Sequence, residues 1–94
     1  MLAVALTTTG TVPALAQERQ VERQVEQYQC KDVMRDSGTA RDVALAFLHG
    51  YLLGKSGSTS FNLEAIRKQN AAFVERCLVA PTERAIDAMA AVQK

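Results

Sequence analysis

Only two cysteines, Cys30 and Cys77, occur in this chain, so any disulfide has a single possible connectivity and ties an early segment to a late one. Compartment decides whether such a pair forms. Thiols of small exported chains usually pair, and those of cytosolic chains usually do not. The first residues address that question. Met1 to Ala16 carries no charge, runs Leu2-Ala3-Val4-Ala5-Leu6, and closes on Pro13-Ala14-Leu15-Ala16 before Gln17. This predicts the tail of a secretory signal over residues 1–16 with an Ala-x-Ala cleavage site. The basic residues that open such a signal are missing, which leaves room for a start codon upstream of Met1. The alternative is that Leu2 to Leu6 forms a short buried strand or helix of the mature fold. The polar, helix-poor stretch Thr7 to Thr11 that follows speaks against it.

Export and cysteine count reinforce each other through size. The 94 residues form one domain, and removing the signal leaves a chain whose core supplies only a few kcal/mol of net stability. A covalent staple is therefore expected, and closing Cys30 to Cys77 is expected to contribute about 4 kcal/mol through lost unfolded-state entropy. Two cysteines and the single His49 lack the ligand number and CxxC spacing of a metal site, so neither a metal nor a cofactor is expected. Eleven Lys and Arg against ten Asp and Glu give a net charge of +1, interspersed along the chain, which offers no field for nucleic acid or anionic lipid. The longest apolar run, Val43 to Leu53, is broken by His49 and Gly50 and is too short to span a bilayer.

Periodicity in the mature part is helical throughout. Residues 17–29 form a polar arm whose single stripe, Val21, Val25 and Tyr28, holds a helix only weakly; the arm is frayed or lightly docked, or serves as a partner-binding segment. Cys30 to Met34 opens a short helix that Asp36-Ser37-Gly38 ends. The central helix is predicted over Ala40 to Leu53, with Thr39 as its cap, Asp42 completing a capping box, and Gly54 as a left-handed C-cap. It is apolar on more than one face, leaving little beyond Arg41, Asp42 and His49 for water. Other helices or, preferably, a second copy of the chain must cover it.

Asn62 is expected to cap the next helix, with Phe61 and Ile66 as a hydrophobic staple. Leu63, Ile66, Phe73, Val74, Cys77 and Leu78 are expected on one inward face. Pro81 stops or kinks that helix. The last helix runs from Pro81 or Thr82 with Ile86, Met89 and Ala90 inward and Glu83, Arg84 and Asp87 outward. The predicted fold is all-α: a small single-domain orthogonal bundle of about four helices over residues 30–94, stapled by one disulfide and without strands.

Catalysis is not expected: there is one histidine, no nucleophile motif, and the carboxylates are scattered on solvated faces. His49 is read as a rim residue, with a titrating switch as the alternative. Gly50 and Gly54 either permit close helix approach or, preferably, make room for a neighbouring side chain and cap the helix. Met34 and Met89 occupy core positions.

The sequence resembles the HdeA/HdeB family of periplasmic acid-stress chaperones from Tyr28 to about Met89. The likeness is carried by Tyr28-Gln29-Cys30-Lys31-Asp32, by the apolar central segment Phe47-Leu48-His49-Gly50-Tyr51, and by Cys77 with Pro81 after it. It departs from the family in having no tryptophan and in its longer arm rich in Gln, Glu and Arg. The resemblance implies a homodimer at neutral pH that loosens in acid and binds unfolding periplasmic client proteins through exposed apolar surface. Val43, Phe47, Leu48, Tyr51 and Leu52 are the expected client or dimer surface. Protonating the carboxylates leaves the Lys and Arg charge uncompensated, which favours such loosening. Gly50-Tyr51-Leu52-Leu53-Gly54 is also similar to a segment of amidase-immunity proteins, making a small periplasmic inhibitor of a partner enzyme the main alternative. A structural exported helical protein is a third.

Overall fold

A computed structural model describes residues 22–94; the expected signal segment 1–16 and residues 17–21 of the arm lie outside the described residues. Four α-helices are described: α1 (Cys30–Arg35), α2 (Gly38–Ser56), α3 (Leu63–Val79) and α4 (Ala85–Val92). The described part of the arm holds a single 3-10 turn, Val25–Gln27, in place of an α-helix. No residue of that turn is buried, so nothing offsets the entropy of ordering a longer helix there.

The helix ends show which local rules won. At the start of α1, the Asp32 carboxylate accepts from the Gln29 backbone N–H at 3.0 Å. At its end, Arg41 reaches back from α2 to donate from Nε to the Asp36 carbonyl and from Nη2 to the Met34 carbonyl, each at 3.0 Å. These contacts answer carbonyls that the end of a helix leaves without partners. The central helix is longer than the sequence predicts at both ends. It begins at Gly38, whose φ of +57° suits the missing Cβ, and Thr39 lies inside the first turn instead of capping it. At the far end Gly54 remains helical, and Gly57 takes the left-handed position with φ +77° and returns its N–H to the Gly54 carbonyl at 3.1 Å. Two glycines competed for the cap, and a helix tolerates an interior glycine at a cost of about 1 kcal/mol.

Asn62 caps α3 as expected, its Oδ1 accepting from the Ala65 N–H at 2.9 Å. The helix ends at Val79, two residues before Pro81, in keeping with the aversion of pre-proline positions to helical backbone. The segment after it does not begin a helix at Pro81 or Thr82. It runs past residues 28–31 and bonds to them: Lys31 N–H to the Pro81 carbonyl at 2.8 Å, Cys30 N–H to the Glu83 carbonyl at 2.9 Å, and Ala85 N–H to the Tyr28 carbonyl at 2.8 Å. Gln29 and Arg84 form an isolated antiparallel bridge there, and no strand occurs among the described residues. Those backbone groups are already committed, so α4 starts only at Ala85.

The core gathers around the Cys30–Cys77 disulfide, which joins α1 to α3 with Cα atoms 5.1 Å apart. Val33, Leu48, Phe73, Ala85, Ala88 and Met89 are wholly buried beside it. α4 packs closely against both α3 and α2, whereas the backbones of α2 and α3 stay farther apart and meet through side chains. The inward ladder of α3 is Ile66, Asn70, Phe73 and Cys77; Leu63 and Leu78, expected on it, are 60% and 68% exposed. Leu78 follows Cys77 by one residue and is rotated about 100° off that ladder. Leu63 lies in the first turn, where neighbouring cover is thin.

The cross-link separates its cysteines by 47 residues, and a loop of that length confers about 4 kcal/mol on the chain-entropy relation. Reduction, or the double substitution Cys30→Ala with Cys77→Ala, is expected to remove about that much from the unfolding free energy in urea titrations. A loss below about 1 kcal/mol would show that the helices hold without it.

Candidate functional site

The residues expected to form a binding surface divide between the core and the outside. Val43 is 64% exposed and Phe47 46%, one helical turn apart on α2, with Tyr51 half-buried a further turn along. The rings of Phe47 and Tyr51 lie 6.0 Å apart, and the Lys55 ammonium sits 5.5 Å from the Tyr51 ring centre. Leu52 is half-buried against the core. Leu48 is wholly buried, so it belongs to the interior and takes no part in a surface of the closed chain. The i, i+3/i+4 pattern put all five on one broad apolar helix. The reason they part is that α1 and α4 cover only the side carrying Ala44, Leu45 and Leu48.

Two concavities flank this uncovered band. A shallow one of about 400 Å³ lies between it and the end of the arm, where Tyr28, Val25 and Ala40 meet Val43 and Phe47. Burial raises the Tyr28 phenol above its ordinary pKa, the Asp36 carboxylate adds to this, and nearby Arg23 opposes it. The larger groove, about 600 Å³, opens where α2 and α3 diverge and is lined by Leu52, Leu53, Phe61, Leu63, Ile66 and polar side chains including His49 and Gln93. Phe61 and Ile66, the expected staple, face this groove; Phe61 is 67% exposed. Leu63, Leu78 and Val79 add further exposed apolar surface.

His49 was expected at a wet rim and is instead 9% exposed. Its Nε2 is 2.8 Å from Asn70 Oδ1 on α3, and its Nδ1 is 3.1 Å from Nε2 of Gln93, just after α4. No sequence pattern announced these partners, because they lie 21 and 44 residues away along the chain. Gly50 and Gly54 also differ from expectation: a Cβ at either would meet nothing within 4 Å, so neither close approach nor a filling side chain explains them.

The electrostatics concentrate near the disulfide. Arg76, on the last turns of α3, grips Glu83 with two hydrogen bonds, Nε to Oε1 at 2.7 Å and Nη2 to Oε2 at 2.9 Å. This bidentate contact holds the Glu83 carboxyl below the usual glutamate range and raises the already high Arg76. Glu83 also supplies the carbonyl that receives the Cys30 N–H, so the ion pair braces the segment that closes over the disulfide. No cluster of His, Cys, Asp and Glu able to hold a metal occurs among the described residues, and no described helix is long and apolar enough to cross a membrane.

The described residues thus form a small disulfide-stapled four-helix domain with several large apolar side chains exposed. The HdeA/HdeB family model matches residues 1–87, and the chain belongs to that family, one of periplasmic, non-enzymatic acid-stress chaperones. Comparison with curated proteins gave no match, and neither did comparison with solved structures.

Because the folded state lowers the Glu83 pKa, the pair contributes stability above the ordinary glutamate range near pH ~4.3, and loses it as pH falls through the lower folded value. Glu83→Gln is therefore expected to melt earlier than the parent at pH 7 and to converge with it as pH falls through the lowered folded value, as read by circular dichroism. Gly50→Ala is expected to stabilise the chain by about 0.5–1 kcal/mol, since the position is helical and open. A destabilisation in chemical denaturation would reveal a neighbour packed on Gly50.

Proposed function

We propose that this protein is a periplasmic holdase that exposes apolar helix surface at low pH and keeps unfolding client proteins from aggregating. The observation that carries this is the apolar band on α2, Val43 and Phe47, which the described helices leave open. Membership of an acid-stress chaperone family supports it. Residues 1–16 serve as the export signal and are removed, and the oxidising compartment keeps Cys30 joined to Cys77.

At neutral pH a second copy of the chain covers the band around Val43, Phe47, Tyr51 and Leu52. As pH falls, the carboxylates lose their charge while eleven Lys and Arg keep theirs, and the compact state repels itself. Glu83 releases Arg76, and the segment over the disulfide loosens. The disulfide holds α1 to α3, so the chain opens without dispersing and displays its apolar faces. Leu48 joins the client surface only at this stage, when the helices that bury it separate. An inhibitor of a partner enzyme is the second reading, favoured by the open backbone at Gly50 and Gly54; it calls for tight binding of one enzyme at neutral pH.

Light scattering of a denaturing client at about pH 3 tests the proposal. The oxidised protein is expected to suppress aggregation, and the double variant Val43→Ser with Phe47→Ser to suppress it several-fold less. Absence of suppression by the parent protein would sink the chaperone function.

A further inference from the structure

We infer that His49 is a latch that holds α2, α3 and the end of α4 together while its ring is neutral, and releases them when it takes a proton. One imidazole spans all three elements: it sits on α2, meets Asn70 on α3 at 2.8 Å and meets Gln93 after α4 at 3.1 Å. The amide oxygen of Asn70 only accepts, so Nε2 carries the ring proton and Nδ1 accepts from the Gln93 amide N–H. Both nitrogens are satisfied by the neutral ring in this tautomer. The contact matters because the backbones of α2 and α3 come close at few points, and the groove between them begins at His49 and Gln93 themselves.

A proton on Nδ1 reverses that fit. The ring then presents a donor to the donor of Gln93, and a positive charge sits in a site that is 9% exposed. No other ionisable side chain from α2, α3 or α4 lines the groove. On α3, Glu64, Arg67 and Lys68 are exposed to water, as are Asp87 on α4 and Lys94 beyond it, and Tyr51 and Lys55 of α2 are engaged with one another away from the groove. Among the described residues, no carboxylate lines the groove to compensate an imidazolium. The imidazole is the one side chain type that ordinarily changes charge between pH ~5 and ~8. Release of the latch widens the groove lined by Phe61 and Ile66. Its use as a first stage of activation rests on the chaperone function proposed above; the latch itself does not.

Melting of the oxidised chain without client, at about pH 7.5 and about pH 5, tests the latch, because few carboxylates titrate in that interval. The parent is expected to melt about 5 °C lower at the acid end, and His49→Gln to show almost no difference between the two. Asn70→Asp places a carboxylate against Nε2 and is expected to abolish or invert the parent's acid loss, a rescue that a merely structural histidine would not give; it also serves should His49→Gln fail to fold. Equal acid shifts in all three chains would overturn the proposal, as when the exposed Gln93 simply turns its amide to offer an oxygen. A chain that shows the His49-dependent shift but holds no client at about pH 3 leaves the latch standing and removes the chaperone function. A client-holding chain with no such shift does the reverse.

Discussion

The Cys30–Cys77 bond and the backbone pairing beside it form one fastening on which the remaining packing depends. The disulfide joins α1 to α3, while the carbonyls of Pro81 and Glu83 and the N–H of Ala85 bind residues 28–31 directly alongside. α1 has only six residues, too few to persist alone in water. It is held by a covalent link at Cys30, two backbone bonds from Cys30 and Lys31, a third at Tyr28 just before it, and the grip of Arg41 at its end. Phe73, Leu48 and Met89 then close around the sulfur atoms, and α4 is placed by the extended segment that precedes it.

This economy of structure explains the unusual surface. A domain this small has little interior, and much of the apolar content of α2 and α3 stays outside it. Val43, Phe47, Phe61, Leu63, Leu78 and Val79 are all exposed large apolar residues. Single exposed hydrophobics need no explanation, but Val43 and Phe47 share one helix face and Phe61 and Leu63 share one groove. The interior is polar only at His49, and no buried side-chain nitrogen or oxygen lacks a partner among the described residues.

Features encoded by neighbouring residues were legible in the sequence. Asn62 as a cap, Pro81 as a stop, the short helix opened at Cys30 and the disulfide itself follow from local chemistry or from a count of two. What the sequence concealed was settled by distant partners. Gly54 and Gly57 offer equal left-handed freedom, so the end of α2 could not be read from residue type. α4 starts late because residues 81–84 are bound to a segment fifty or more positions away. Leu48 and Phe47 look alike in a helical pattern, and only the placement of α1 and α4 separates the buried one from the exposed one. His49 was misplaced for the same reason, since its two amides arrive from α3 and from beyond α4.

The position of the fastening along the chain constrains the order of assembly. The disulfide and the backbone bonds that secure the start of the first helix come from residues 77–85, so a nascent polypeptide emerging from its N-terminus has no native partner for Cys30 until Cys77 has been delivered. Such closure adds contacts of large sequence separation to a helical protein, and contacts of that kind slow folding relative to closure by local contacts alone.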